Sequence, residues 1–73
     1  MIKSIEYTGD RSVGDSIKAL RTERGLTIRE LATRTGLSAA AISRWESGQR
    51  VPSVDSFNRV MTALDAELTV ISK

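Results

Sequence analysis

A chain of 73 residues with a formal net charge of +2 is expected to form one small domain. A chain of that size hides only about 60% of the surface its unfolded form exposes, so its stability is marginal without a staple or a partner. It contains no Cys and no His, so no disulfide can form, a metal site is not expected and nucleophile–imidazole catalysis is excluded. No apolar run approaches the about 18 residues of a membrane span, and no signal-peptide pattern opens the sequence. These features predict a cytoplasmic protein stabilised by self-association, with no membrane contact, no cofactor and no enzymatic activity.

Residues 1–8 alternate weakly, with Ile5 and Tyr7 on one side, which suggests a short extended segment. Gly9-Asp10-Arg11 reads as a turn. A first helix is predicted from Ser12, with Ser12 as cap and Asp15 completing a capping-box pattern. Val13, Ile17, Leu20 and, less regularly, Ala19 form its apolar stripe, with Lys18, Arg21 and Arg24 off it, and Gly25 follows its last turn. Thr27 caps a second helix, Glu30 is its return partner, and Leu26 and Leu31 have the spacing of a hydrophobic staple. Leu31 and Ala32 face inward, and the helix ends near Thr35 at Gly36.

Ser38 caps a third helix, Leu37 and Ile42 repeat the staple, Ile42 and Trp45 face inward, and Gly48 stops the helix. Trp45 reads as core rather than as a base-stacking residue, and Glu46 as the partner of a nearby Arg. Only Gly36-Leu37-Ser38 separates the second and third helices, so they must cross steeply, as in a DNA-binding helix-turn-helix. Pro52 prevents the third helix from continuing. Ser53 caps a fourth helix whose stripe is Val54, Phe57, Val60, Met61 and Leu64. After a turn at Asp65-Ala66, residues 67–72 alternate and are rich in β-branched side chains, which predicts a terminal strand.

The expected fold is therefore mainly all-α: four to five helices in a repressor-like helix-turn-helix domain at 12–65, an N-terminal extension at 1–11 and a C-terminal strand at 66–73. A lone strand exposes unpaired edges. It can pair with the N-terminal segment or with a second copy. The second is favoured, with Leu68, Thr69, Val70 and Ile71 forming the strand of a homodimer, because a two-fold dimer also suits palindromic DNA.

Charge is unevenly distributed. Between Arg11 and Arg50, eight basic residues face Asp15, Glu23, Glu30 and Glu46, a net +4, while the rest of the chain carries −2. Phosphate contact requires such a concentration, although an ordinary solvated surface also accounts for it.

The run Ile17-Lys18-Ala19-Leu20-Arg21, Gly25-Leu26-Thr27, Glu30-Leu31-Ala32, Thr35-Gly36-Leu37-Ser38, Ile42 to Gly48 and Pro52-Ser53 resembles the XRE helix-turn-helix family, the phage repressor/Cro type, across roughly residues 13–64. The N-terminal extension and terminal strand look most like the HipB-type antitoxins of that family. That resemblance implies a dimeric autorepressor that binds a palindromic operator in double-stranded DNA and a HipA-type kinase toxin. Two positions depart from the family: Ile28 replaces a common Gln, and Ala39 and Ala40 occupy positions that often carry base-contacting polar residues.

For phosphates, Thr27 and the N–H groups opening the second helix at Ile28 are the first candidates, followed by Arg29, Gln49 and Arg50. For bases, the candidates are Ser38, Ala39, Ala40, Ser43 and Arg44 on the exposed face of the third helix. The two alanines offer only methyl contact to thymine. Arg44 can take guanine O6 and N7 together, or a phosphate. Direct readout should carry little information, with the remainder supplied by DNA shape or by a second dimer. The alternatives are a phage-type or stand-alone repressor, or a protein-interaction module that uses the smooth Ala39-Ala40-Ala41 face to pack helices and has little use for DNA.

Overall fold

Local side-chain chemistry fixes most of the helix ends. The computed structural model describes residues 3–70, in the order β1 (Lys3–Tyr7), α1 (Ser12–Glu23), α2 (Ile28–Thr35), α3 (Ala39–Ser47), α4 (Val54–Ala63) and β2 (Ala66–Val70). Ile71 and Ser72, expected in the terminal strand, lie outside the described residues. At α2 the Thr27 hydroxyl accepts from the Glu30 amide at 3.0 Å and the Glu30 carboxylate accepts from the Thr27 amide at 2.9 Å, a complete capping box. Ser38 and Ser53 cap α3 and α4 in the same way, accepting from Ala41 and Ser56. Gly36 and Gly48 end α2 and α3 in the left-handed region, at φ 74° and 81°, where a side chain would be strained.

The start of α1 differs from expectation. The capping acceptor is the Asp10 carboxylate, not Ser12: it takes the Ser12 amide at 2.8 Å and the Ser12 hydroxyl, and Thr8 donates to it as well. A charged acceptor forms the stronger hydrogen bond, so Ser12 becomes the first helical residue and Asp15 remains exposed in the first turn.

These carboxylates give the fold an acid-sensitive component. The Thr27 amide, then its hydroxyl, holds the Glu30 carboxyl below its ordinary value. Hydrogen bonds from Ser12 and Thr8 do the same for Asp10. A folded-state pKa below the unfolded value stabilises fully above the unfolded value, and the contribution is lost as pH falls through the folded one. Thermal midpoints measured from neutral to acid pH should therefore fall less for Glu30→Gln than for wild type, so that the two curves converge at low pH. Parallel curves would contradict this.

The core joins Val13, Ile17 and Leu20 of α1 with Leu31 of α2, Ile42 and Trp45 of α3, and Phe57, Val60, Met61 and Leu64 around α4. Leu26 and Leu31 are both buried, as the staple spacing predicts. Two stripe assignments fail. Ala19 is exposed, and Val54, the first residue of α4, is 40% exposed. The Cα–Cβ bond of a helical residue tilts toward the N-terminus, which at position 54 leads off the end of the helix rather than onto the core.

Four helices form among the described residues, and β2 finds its partner inside the chain. β1 and β2 run parallel with Ile5 opposite Leu68 and Tyr7 opposite Val70, in place of the favoured pairing of β2 with a second copy. The reason lies in β1. The Tyr7 hydroxyl donates to the Pro52 carbonyl at 2.8 Å, and its ring packs 5.4 Å from Phe57. That anchors β1 beside α4, where β2 also packs. An edge held in place on the same chain competes at high effective concentration with one on a second molecule.

Candidate nucleic-acid interface

The sequence Thr35-Gly36-Leu37 sets the angle between α2 and α3. Thr35 is buried, its hydroxyl donates to the Leu31 carbonyl at 2.9 Å, and the same oxygen accepts from the Leu37 amide at 3.2 Å. The turn is thus bonded to the last coil of α2. Beyond it, α3 buries Ile42 and Trp45 and leaves Ala40, Ser43 and Arg44 exposed, with Ala39 half-buried.

Two contacts to α1 hold α3 in that orientation. At Gly14, buried inside α1, an added Cβ would fall on the Trp45 carbonyl oxygen, so the backbones of α1 and α3 touch with no room for a side chain. At the other contact, Arg21 of α1 grips Glu46 of α3 through both carboxylate oxygens, at 2.7 and 2.9 Å. A further nitrogen of Arg21 donates to the Leu26 carbonyl at 2.7 Å, tying in the loop before α2. The hydrogen bonds to Glu46 raise the Arg21 pKa further, against the opposing effect of burial. One side chain therefore links α1, the approach to α2 and the end of α3. Arg24 takes a different role, donating to the Leu64 carbonyl at the end of α4.

The sequence-predicted contacts fall around α3 as follows. Thr27 and Arg29 are exposed at the opening of α2, while the Ile28 side chain is half-buried against the core, leaving its backbone as the only polar offering. Ser38 is exposed, but its hydroxyl is engaged as the α3 cap. Gln49 and Arg50 are exposed beyond the other end of α3, where both amides donate to the Arg44 carbonyl, at 2.9 and 3.2 Å, folding the loop back onto the helix. Arg44 makes no salt bridge with any described residue. In β2, Leu68 is half-buried against the core and Thr69 shares a hydrogen bond of 2.7 Å with Ser4.

Three residues important to this arrangement escape sequence reasoning. Gly14 carries a weak signal, since glycine inside a helical pattern often marks close packing. Arg21 lies off the apolar stripe, yet its side chain is only 14% exposed because it reaches 25 residues along the chain to Glu46. Lys18 shares an open cleft of about 270 Å³ with Arg21, Ile28, Ser43, Glu46 and Ser47. The larger groove, about 520 Å³ between Arg34 of α2 and Asp55, Asn58 and Arg59 of α4, contains no residue of α3.

Two short helices in a bonded turn, with the outer face of the second exposed and its inner face fastened to the domain, define a helix-turn-helix. A helix-turn-helix family model matches residues 17–71, and the chain belongs to that family, in its XRE type. Similar proteins include the HTH-type transcriptional repressor RghR of Bacillus subtilis, 48% identical over 54 residues, which are 73% of this chain and 40% of RghR. The transcriptional regulator ClgR of Mycobacterium tuberculosis is 32% identical over 59 residues, 81% of this chain and 53% of ClgR. The chain thus spans about half the length of these relatives. No solved structure matches it significantly.

Proposed function

We propose that this chain is a DNA-binding transcriptional regulator, acting as a repressor, that places α3 in the major groove of double-stranded DNA. The observation that carries this reading is the outward face of α3: Ala40, Ser43 and Arg44 are exposed, and Arg44 pairs with no described residue, on a helix whose inner face is locked by Gly14 and Arg21. The names of the two relatives support regulation of transcription. Thr27 and Arg29 at the opening of α2, and Gln49 and Arg50 past the end of α3, supply phosphate contacts on either side. Ala39 and Ala40 offer methyl contact to thymine, and Arg44 a pair of hydrogen bonds to guanine.

Dimerisation follows from the same reading. β1 covers one edge of β2 and no described strand covers the other, so a second copy can add there and place two α3 helices about 34 Å apart on a palindromic operator. The antitoxin reading, with a HipA-type kinase as partner, rests on the likeness of the terminal segments alone.

The test is selection of bound duplexes from a random DNA pool, followed by comparison of wild type with Arg44→Ala. If Arg44 reads guanine, the substitution costs about 1–3 kcal/mol on the selected duplex and little on scrambled DNA. Equal losses on both would make Arg44 a phosphate contact. Absence of binding to any duplex at low salt would leave the protein-interaction module as the better account.

A further inference from the structure

Ser43, exposed on α3, also lines an open cleft between α1, the start of α2 and α3. Lys18 of α1 lines the same cleft, and Ile28 and Ser47 complete it together with the Arg21–Glu46 pair. The cleft holds one carboxylate, Glu46, and both of its oxygens are bound by Arg21, at 2.7 and 2.9 Å. Lys18 therefore has no acid to pair with inside the cleft, and it makes no salt bridge with any other described residue. The Arg21–Glu46 pair is neutral overall, so the ammonium of Lys18 sets the sign of the site. The Ser47 hydroxyl donates to the Arg44 carbonyl at 3.1 Å, whereas Ser43 is exposed, one helical turn after Ala39.

We propose that this cleft takes a backbone phosphate of the bound DNA, held by the Lys18 ammonium and the Ser43 hydroxyl. The proposal rests on the DNA-binding reading above and extends it: α1 joins α2 and the loop after α3 as a third source of phosphate contacts, and Ser43 moves from base readout to positioning. The ligand chemistry follows from the site. One uncompensated cation and one hydroxyl lining a single open cleft next to α3 suit a singly charged phosphodiester. It also narrows direct base readout to Arg44 and the two alanines.

The experiment is a salt titration of duplex binding by wild type, Lys18→Gln, Lys18→Arg and Ser43→Ala, each on the selected and on a scrambled duplex. Loss of one phosphate contact lowers the slope of log affinity against log salt by about 0.9. Lys18→Gln should show that reduction on both duplexes, Lys18→Arg should restore the slope, and Ser43→Ala should weaken both duplexes by the same factor. Both positions are exposed, so circular dichroism should be unchanged. An unaltered slope in Lys18→Gln overturns the proposal. So does a loss in Ser43→Ala confined to the selected duplex, which would return Ser43 to the bases. A wild-type chain that binds no duplex overturns both this proposal and the reading beneath it, whereas wild-type binding with an unaltered Lys18→Gln slope overturns this proposal alone.

Discussion

Gly14→Ala should strongly destabilise the protein, although alanine is the better helix former. Inside a helix, exchanging glycine for alanine ordinarily stabilises by about 0.5–1 kcal/mol. Here the added methyl would coincide with the Trp45 carbonyl oxygen, with the Trp45 carbonyl carbon and the Glu46 amide close behind. Those are backbone atoms of α3 and cannot rotate away, so α1 and α3 would have to separate. Overpacking costs about 1–3 kcal/mol where side chains can adjust and more where they cannot, which puts the net loss at about 3 kcal/mol. A domain of this length has on the order of 5 kcal/mol in total. Gly25→Ala is the control. Its Cβ would meet nothing within 4 Å, but its φ is 69°, so the cost is the left-handed strain alone, about 1–2 kcal/mol. Urea unfolding of both variants separates the two mechanisms. A Gly14→Ala protein as stable as wild type would mean that α1 and α3 do not approach as described.

Glu46→Ala is expected to be nearly as damaging, for an electrostatic reason. It leaves the Arg21 guanidinium, only 14% exposed, without its counter-charge, while Glu46 itself is 6% exposed. Removing one partner of a buried ion pair costs about 3–5 kcal/mol because the other charge is stranded. Arg21 keeps its bond to the Leu26 carbonyl and a path to solvent, which favours the lower end, about 3 kcal/mol. Arg21→Met alone strands Glu46 in the same way. The double variant strands neither charge and should be less destabilised than the sum of the two single variants by at least 1 kcal/mol in a double-mutant cycle. Additive losses would show that the pair contributes no coupling. The same cycle bears on function, since the pair fixes the end of α3 that carries Arg44.

The contrast between these two sites and the helix caps shows what the sequence makes legible. Thr27 with Glu30, Ser38, Ser53, Gly36 and Gly48 were readable because each acts within about four residues of its partner. At α1, Ser12 and Asp15 satisfy the same spacing rule as a true capping box, and only the three-dimensional turn shows that Asp10 is the acceptor. The partner of Glu46 was legible as an arginine in general, but its identity as Arg21 depends on how α1 crosses α3. The parallel pairing of β1 with β2 was the least legible feature. It joins residues more than 60 positions apart and depends on Tyr7 reaching Pro52 and Phe57. Among the candidate contacts, the exposure of Ala40, Arg44, Arg29, Gln49 and Arg50 was readable from helical period and loop position. That Ser43 and Lys18 line one cleft was not, since it requires three helices at once.

The central claim is that the outward face of α3, flanked by the start of α2 and the loop after α3, meets DNA. Amide chemical shifts of the isotope-labelled chain, followed by NMR as a selected duplex is added, test it most directly. The account predicts perturbations concentrated at residues 27–29, 38–44 and 49–50, with the α4 face around Asp55, Asn58 and Arg59 little changed. Perturbations centred on that α4 face, with residues 38–44 unmoved, would contradict it.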